Sequence, residues 1–266
     1  MKFALFDGNR IEATKGAKGF CPGCSSEMIA KCCERKMNHW SHKVTRNCDP
    51  WWEPETEWHR TWKNNFPEAW QEFSSHDERT GERHIADIRT SDSLVIEFQH
   101  SAINPQEQSS REKFYKNLVW VVDGTRLKYD FPRFVKEKKN FINVKPGIFQ
   151  VTYPEETFPA AWIKSSAPVI FDFLGTSTSH DVPERNILYC LFPKRIGRYV
   201  FVAEISRKAF LKSVVDGQWS QRIDNFTKLL EKVSIEWQNQ LALRKVQENI
   251  ELLRRQNMTQ NRRRRL

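Results

Sequence analysis

Apolar and polar residues alternate along several short stretches of the chain, and this period of two predicts β-strands. Residues 84–90 and 94–99 are two such stretches, and the polar residues 91–93 between them predict a hairpin. Residues 3–12 predict a second hairpin that turns at 7–9, where the sequence reads Asp-Gly-Asn. The run LVWVV at 118–122 is apolar throughout, which is typical of a strand buried on both faces of a sheet.

Three stretches carry helical signals instead. PETEWHRTWKNNF predicts a helix that ends before Pro67. Asn104 and Pro105 predict a helix start, with Glu107 closing a capping box, and this helix is expected to run to about Asn117. From Trp219 to about Arg255 the 3–4 spacing of apolar residues predicts one long helix. Its apolar positions are Ile223, Phe226, Leu230, Val233, Trp237 and Leu241.

The order of these segments predicts an α/β protein with a mixed central sheet flanked by helices. Four further strands, within 147–153, 168–175, 186–193 and 198–205, and a helix that Ser206 caps fill the second half of the chain. We therefore expect an N-terminal module at 1–50, a core at 51–130, a β-rich extension at 131–218 and a long helix with a basic tail at 219–266. That helix either lies on the domain or forms a homodimer through a coiled-coil seam.

Charge and hydropathy narrow the class of protein. The formal net charge is +10, and six arginines, at 254, 255 and 262–265, crowd into a C-terminal tail without acids. Such a tail is either a solubilising end or an arm that binds nucleic-acid phosphates. No apolar run approaches the ~20 residues of a membrane span, and the N-terminus lacks the apolar region of a signal peptide. The sequence therefore predicts a cytoplasmic protein without a membrane partner.

The cysteines predict a structural Zn²⁺ site. Five of the six lie between positions 21 and 48, and Cys21 and Cys24 flank a Pro-Gly turn that suits two thiolates on one metal. Candidates for the second pair are Cys32, Cys33, His39, His42 and Cys48. In an extended strand His39 and His42 point to opposite faces, so only one of them should bind. We favour His42 with Cys48, and His39 is the alternative.

A second cluster of polar residues lies on the hairpin at 84–99. Glu97 and Gln99 share one face of their strand, and a short antiparallel hairpin can bring Asp87 close to Glu97. Two adjacent carboxylates repel each other unless a proton or a cation intervenes, and Mg²⁺ takes such oxygen ligands. The alternative is an exposed hairpin face whose acids are solvated.

The preceding helix adds further candidates. Glu55, His59 and Lys63 are spaced at i, i+4 and i+8 and would fall along one stripe. This stripe either faces the two carboxylates or is a solvated row of charge pairs. The first arrangement would place an acid, a proton carrier and an ammonium group beside a metal site.

Together these motifs resemble a known family. An acid-bearing helix, a strand with Asp, a strand with Glu-x-polar, a helix and a buried strand follow one another as in the PD-(D/E)-x-K nuclease superfamily. CPGC, HWSH, RNCD, ETEWH…K, HIAD, IEFQHS, REKFY and LVWVVD, which span residues 21–123, are similar to the competence protein CoiA-like nucleases. The resemblance implies a restriction-endonuclease-like core that acts on DNA, with Asp87 and Glu97 binding metal and Glu55 as the helix acid.

The expected function is metal-dependent hydrolysis of DNA phosphodiester bonds. Asp87 and Glu97 would hold Mg²⁺ or Mn²⁺, which neutralises a phosphate oxygen and acidifies a bound water. Gln99 replaces the lysine of the superfamily motif, and an amide can orient a water but cannot act as a base. Lys63, and Arg111 from SSREKFY, would stabilise the developing negative charge. The alternative is a non-catalytic nucleic-acid-binding protein that has kept the nuclease fold.

Overall fold

A computed structural model describes residues 1–33, 36–44, 48–51, 54–77, 81–177, 182–193 and 195–263. Only the backbone is described for residues 36, 234, 237, 241 and 251–263. The chain divides into two compact units, Met1–Gln221 and Arg222–Leu266. The first unit contains two sheets and every candidate site residue, and the second is the greater part of the C-terminal helix.

The N-terminal sheet is antiparallel and has the strand order β2-β1-β3-β4-β5. Its strands are β1 (Phe3–Phe6), β2 (Asn9–Glu12), β3 (Lys18–Phe20), β4 (Glu27–Cys33) and β5 (Lys36–His42). The hairpin predicted at residues 3–12 is confirmed: Asp7 and Gly8 both have positive φ, as a tight turn of this kind requires. Met1, Ala4, Met28 and Trp40 form the core of this small sheet.

The second sheet has nine strands in the order β10-β11-β14-β13-β12-β9-β8-β7-β6. They are β6 (Gln71–His76), β7 (Arg83–Arg89), β8 (Val95–Gln99), β9 (Leu118–Asp123), β10 (Ile142–Lys145), β11 (Ile148–Val151), β12 (Val169–Asp172), β13 (Ile187–Leu191) and β14 (Val200–Ser206). The neighbours β8, β9 and β12 run parallel, and the other pairs are antiparallel. A mixed sheet was predicted, and it includes all five described strands of the β-rich extension.

Seven α-helices occur among the described residues. They are α1 (Glu57–Lys63), α2 (Pro105–Phe114), α3 (Asp130–Lys138), α4 (Pro154–Thr157), α5 (Ala160–Ile163), α6 (Arg207–Val215) and α7 (Trp219–Arg263). Asn104 caps α2 as predicted, but Glu107 forms an ion pair with Arg111 rather than a capping box, and the helix ends at Phe114. The strands β8 and β9 are parallel neighbours, and parallel strands need a crossover connection, which α2 provides.

A buried carboxylate joins α1 to the centre of the large sheet. Asp172, at the end of β12, is fully buried and accepts hydrogen bonds from the indole N–H groups of Trp58 and Trp62, both at 2.9 Å. Its second oxygen accepts from the Arg207 guanidinium at 2.7 Å and from the Leu174 N–H at 3.0 Å. Without the Asp172 carboxylate, all four of these donors would lose this acceptor. Because two of the donors are side chains of α1, Asp172 fixes the position of that helix.

Replacing Asp172 with Ala is expected to lower the free energy of unfolding by about 3–5 kcal/mol, because a partly buried guanidinium and two buried indole N–H groups lose their hydrogen-bond acceptor. Urea denaturation followed by tryptophan fluorescence measures the change. Asp216→Asn is the matched control, because Asp216 pairs with Lys212 on the surface of α6 and such pairs contribute at most about 1 kcal/mol. Equal midpoints for both variants would contradict the assigned role.

The C-terminal helix is longer than the sequence predicted. It runs for 45 residues, Trp219–Arg263, and it exposes Leu229, Val233, Ile235, Leu243, Val246 and Ile250. A homodimer through this helix stays a prediction. The side chains of Arg254, Arg255, Arg262 and Arg263 and all of residues 264–266 lie outside what the structure describes, as do the side chains of Trp237 and Leu241. Within the described residues, every helix is too short or too polar to cross a bilayer.

Candidate functional site

Three cysteines and one histidine converge at one end of the small sheet. Cys21 and Cys24 flank the turn between β3 and β4, His42 ends β5, and Cys48 follows in the connection to α1. The ligand atoms of all four lie within 4.8 Å of one another. The Cys21 and Cys48 sulfurs are 3.6 Å apart, and Cys24 Sγ lies 3.3 Å from His42 Nε2. The four residues form the tetrad that the sequence predicted.

The tetrad has the chemistry of a structural zinc site. A hydrogen bond from Cys48 lowers the pKa of the Cys21 thiol; burial opposes this, and N–H groups at Cys24 and Gly23 reinforce it. A thiol with a lowered pKa is already inclined to the thiolate form that binds metal. The other histidine lies outside the group, since His39 Nδ1 is 3.0 Å from the Met37 carbonyl. Three thiolates and one imidazole could bind Zn²⁺.

Asp49 connects the tetrad to the large sheet. It directly follows Cys48, and its carboxylate accepts hydrogen bonds from the Ile85 N–H at 2.7 Å and lies 3.0 Å from His84 Nδ1. The ring of Trp51 stacks on His84 with a centroid distance of 3.2 Å. The segment that carries the fourth candidate ligand is therefore attached to β7, two residues from Asp87.

A cavity of about 400 Å³ lies between the small sheet and the large one. Its lining includes the tetrad residues His42 and Cys48 on one side. Charged and polar side chains from the large sheet and from α1 and α2 line the other side: Glu55, His59, Lys63, Glu72, Asp87, Glu97 and Arg111. Five of the six predicted site residues thus line one cavity with two further charged groups.

Lys63 is the centre of this charged cluster. Its ammonium lies 3.0 Å from Asp87, 3.2 Å from Glu55 and 3.3 Å from Glu72, and the side chain is almost fully buried. Burial lowers the pKa of Lys63, but the attraction of Asp87, Glu72 and Glu55 outweighs it and holds the pKa well above the usual value. Lys63 is consequently a permanent positive charge at neutral pH.

The structure corrects the position of Glu55. We expected it on the helix, but Thr56 is the N-cap and α1 begins at Glu57, so Glu55 precedes the helix. The reason is local: the Thr56 hydroxyl accepts from the His59 N–H while His59 Nδ1 accepts from the Thr56 N–H. Glu55 still reaches Lys63, and it also pairs with Arg60 at 2.6 Å. Burial raises the pKa of Glu55, but Lys63 and Arg60 outweigh it and hold the value at about 2.

The hairpin places its two acids as expected. Asp87 on β7 accepts a hydrogen bond at 3.0 Å from the Phe98 N–H of the neighbouring strand, one residue from Glu97. Glu97 is buried and pairs with Arg111 from α2 at 2.8 Å. Its other oxygen, Oε1, has no hydrogen-bond partner in the described part of the chain. Burial raises the pKa of Glu97 to about 8; Arg111 opposes this shift, and Asp87 and Asp49 add to it.

His59 and Gln99 are held by hydrogen bonds of their own. Since His59 Nδ1 accepts from the Thr56 N–H, its Nε2 carries the proton and donates to the Phe98 carbonyl at 2.9 Å. The Gln99 amide nitrogen donates to the carbonyl and hydroxyl oxygens of Ser101 at 3.3 and 3.2 Å. His59 lines the cavity and fixes β8 against α1, whereas Gln99 braces the turn that follows β8.

Sequence reasoning missed two acids of the site. Glu72 lies between Gln71 and Phe73, which pair with Ile88 and Ala86, and so it sits opposite Asp87. Its φ of 46° is a left-handed conformation that is unusual for a non-glycine residue, and its carboxylate accepts from the N–H groups of Lys2 and Phe3. Asp49 was within the RNCD motif but was read only as a neighbour of Cys48. Long-range pairing placed both acids, and local sequence carries no signal of it.

Comparison with known proteins gives a match that covers the N-terminal module. No curated protein and no solved structure matches the chain. The family model of the N-terminal domain of competence protein CoiA matches residues 6–50, a segment that contains all four tetrad residues and Asp49. Over these residues the chain is similar to the N-terminal domain of the CoiA family.

Proposed function

We propose that the chain is a metal-dependent nuclease that hydrolyses DNA phosphodiester bonds, on a core of the PD-(D/E)-x-K type. The observation that carries the proposal is the pair of carboxylates on adjoining strands, Asp87 and Glu97, which line a cavity beside the buried ammonium of Lys63. The order α1, β7, β8, α2, β9 is the order of elements on which the resemblance rests. Clustered acids beside a buried lysine in a cleft are a reason to infer catalysis.

The residues present fit a divalent cation. Glu97 Oε1 is a buried carboxylate oxygen without a hydrogen-bond partner among the described residues. The pKa of Glu97 rises to about 8, through burial first and the neighbouring acids after it, although Arg111 is in contact. Glu97 Oε1 is therefore the carboxylate oxygen that could accept a further ligand. Asp87 and Glu97 offer the hard oxygen ligands that Mg²⁺ or Mn²⁺ takes, and the cation would supply a Lewis acid and a more acidic water.

Protein groups would supply the rest of the chemistry. Lys63 remains protonated next to Asp87 and cannot serve as a base, so we assign it to stabilising negative charge on the phosphate. We infer that its ammonium, 3.0 Å from Asp87, takes over the role of the lysine that is absent from position 99. Arg111 holds Glu97 in place and stacks near the rings of Trp51 and Trp120, within 6 Å of each centroid. His59 holds α1 on β8 and is a positioning residue in this mechanism.

Gln99 favours a second candidate function. Its amide nitrogen bonds to Ser101 in the following turn, and an amide cannot take a proton from water. A non-catalytic protein that binds nucleic acid would need no base at this position. Because CoiA is by name a competence protein, we place either activity in DNA uptake or recombination.

A nuclease assay tests the proposal. Purified protein is incubated with linear, closed circular and single-stranded DNA, with Mg²⁺, with Mn²⁺ and with a chelator. We expect cleavage that needs the metal and that the chelator abolishes. DNA binding without cleavage under every metal condition would favour the non-catalytic alternative.

A further inference from the structure

The small sheet forms one wall of the cavity that holds the acids. Residues of the β4–β5 hairpin and the segment after it line this wall: Met28, Ile29, Lys31, Trp40, Ser41, Lys43 and Val44. The opposite wall carries Asp87 and Glu97. A substrate that occupies this cavity therefore contacts the β4–β5 hairpin.

Both acids are recessed from the surface. The Asp87 side chain is 21 % exposed and that of Glu97 is 5 % exposed. The cavity above them has a volume of about 400 Å³, which is within the range of pockets that hold one small ligand. The backbone of an intact duplex lies on a rod that is far wider than such a cavity. Enzymes that must take a base into a recessed site act on single strands or draw one nucleotide out of the helix, and a cavity of this size favours a single strand in the same way.

The wall residues suit a single strand of nucleic acid. Lys31 and Lys43 are exposed cations, and Ile29 and Val44 are exposed apolar groups beside them, with Val44 72 % exposed. Lys43 is paired with Glu27 at 2.6 Å, but both side chains are more than half exposed, so salt and a phosphate can compete for the lysine. Sites for single strands combine cations that follow the backbone with side chains, most often aromatic, that pack on the bases; here aliphatic groups take the second role.

We propose that the β4–β5 hairpin is the binding wall for a single DNA strand and that the substrate is single-stranded DNA or a frayed strand end. Lys31 and Lys43 would contact phosphates, and Ile29 and Val44 would contact a sugar or base. The inference rests on the proposed function, because it names the substrate class of the same cavity. It also gives the N-terminal module a role in binding besides that of the tetrad.

Binding in the presence of a chelator tests the wall without requiring cleavage. Fluorescence anisotropy compares one labelled oligonucleotide as a single strand and as a blunt duplex, for the full chain and for the double variant Lys31→Ala, Lys43→Ala. Lys139→Ala with Lys164→Ala is the matched control, since both lysines are exposed and neither lines the cavity. We expect the full chain and the control to prefer the single strand by about tenfold or more, and the wall variant to lose most of that preference.

The outcomes separate this inference from the nuclease proposal. Equal affinity of the full chain for strand and duplex, or an unchanged preference in the wall variant, would overturn the binding wall. Cleavage of closed circular duplex as fast as of single strands would overturn it too, while leaving the nuclease proposal intact. A clear strand preference that depends on the wall, without cleavage in any metal, would support the wall and remove the nuclease.

Discussion

Replacing Asp87 with Asn, or Glu97 with Gln, is expected to lower metal-dependent DNA cleavage by on the order of a thousandfold. Each substitution removes one of the two carboxylates proposed to hold the cation and keeps the shape of the side chain. An Asn at 87 can still accept from the Phe98 N–H, and a Gln at 97 can still accept from Arg111. Initial rates on single-stranded DNA with saturating Mg²⁺ measure the loss, and anisotropy with the same oligonucleotide shows whether binding persists.

Asp92→Asn is the matched control for these two variants. Asp92 lies on the exposed turn of the same hairpin, between β7 and β8, and it does not line the cavity. The control should cleave DNA at the rate of the unmodified chain. Circular dichroism and thermal melting of all three variants test whether the fold is preserved. Full activity in Asp87→Asn or in Glu97→Gln would remove the proposed metal site.

The hairpin acids could be predicted because their information is local. The turn at 91–93 and the alternation on both sides of it determine the pairing, and the observed strands differ from the predicted ones by at most one residue at either end. The tetrad was predictable for the same kind of reason. Cys21 and Cys24 are close in sequence. His39 and His42 are three positions apart on one strand and therefore point to opposite faces, so only one of them can face the thiolates.

The rest of the site depends on pairing between distant segments. Glu72 faces Asp87 only because β6 joins the edge of the sheet, and its carboxylate is bound by backbone N–H groups some seventy residues away. Asp49 enters the site because the segment after Cys48 folds onto β7. Glu55 was placed on the helix because the capping box of Thr56 and His59 was not recognised. The pattern of apolar and polar residues within one segment gives no information about contacts with distant segments.

Replacing both His42 and Cys48 with Ala is expected to reduce bound zinc from about one per chain to almost none and to destabilise the N-terminal module. Two ligands cannot hold a structural zinc, and the binding free energy of such sites, about 10–16 kcal/mol in small domains, is also folding free energy. Because Asp49 follows Cys48 and bonds to Ile85 on β7, loosening this segment should also weaken DNA cleavage. Elemental analysis measures the metal, and thermal melting measures the stability.

Cys33→Ala is the matched control for zinc, since Cys33 is an exposed cysteine on β4 that lies outside the tetrad. It should retain full zinc content and an unchanged melting temperature. Zinc retained by the His42, Cys48 double variant would instead assign the second pair of ligands to His39 with Cys32 or Cys33. In that case Cys48, the residue before Asp49, would not be a zinc ligand, and the metal site would have no direct chain connection to Asp49. Zinc loss together with intact DNA cleavage would show that the module folds around its metal independently of the acids on β7 and β8.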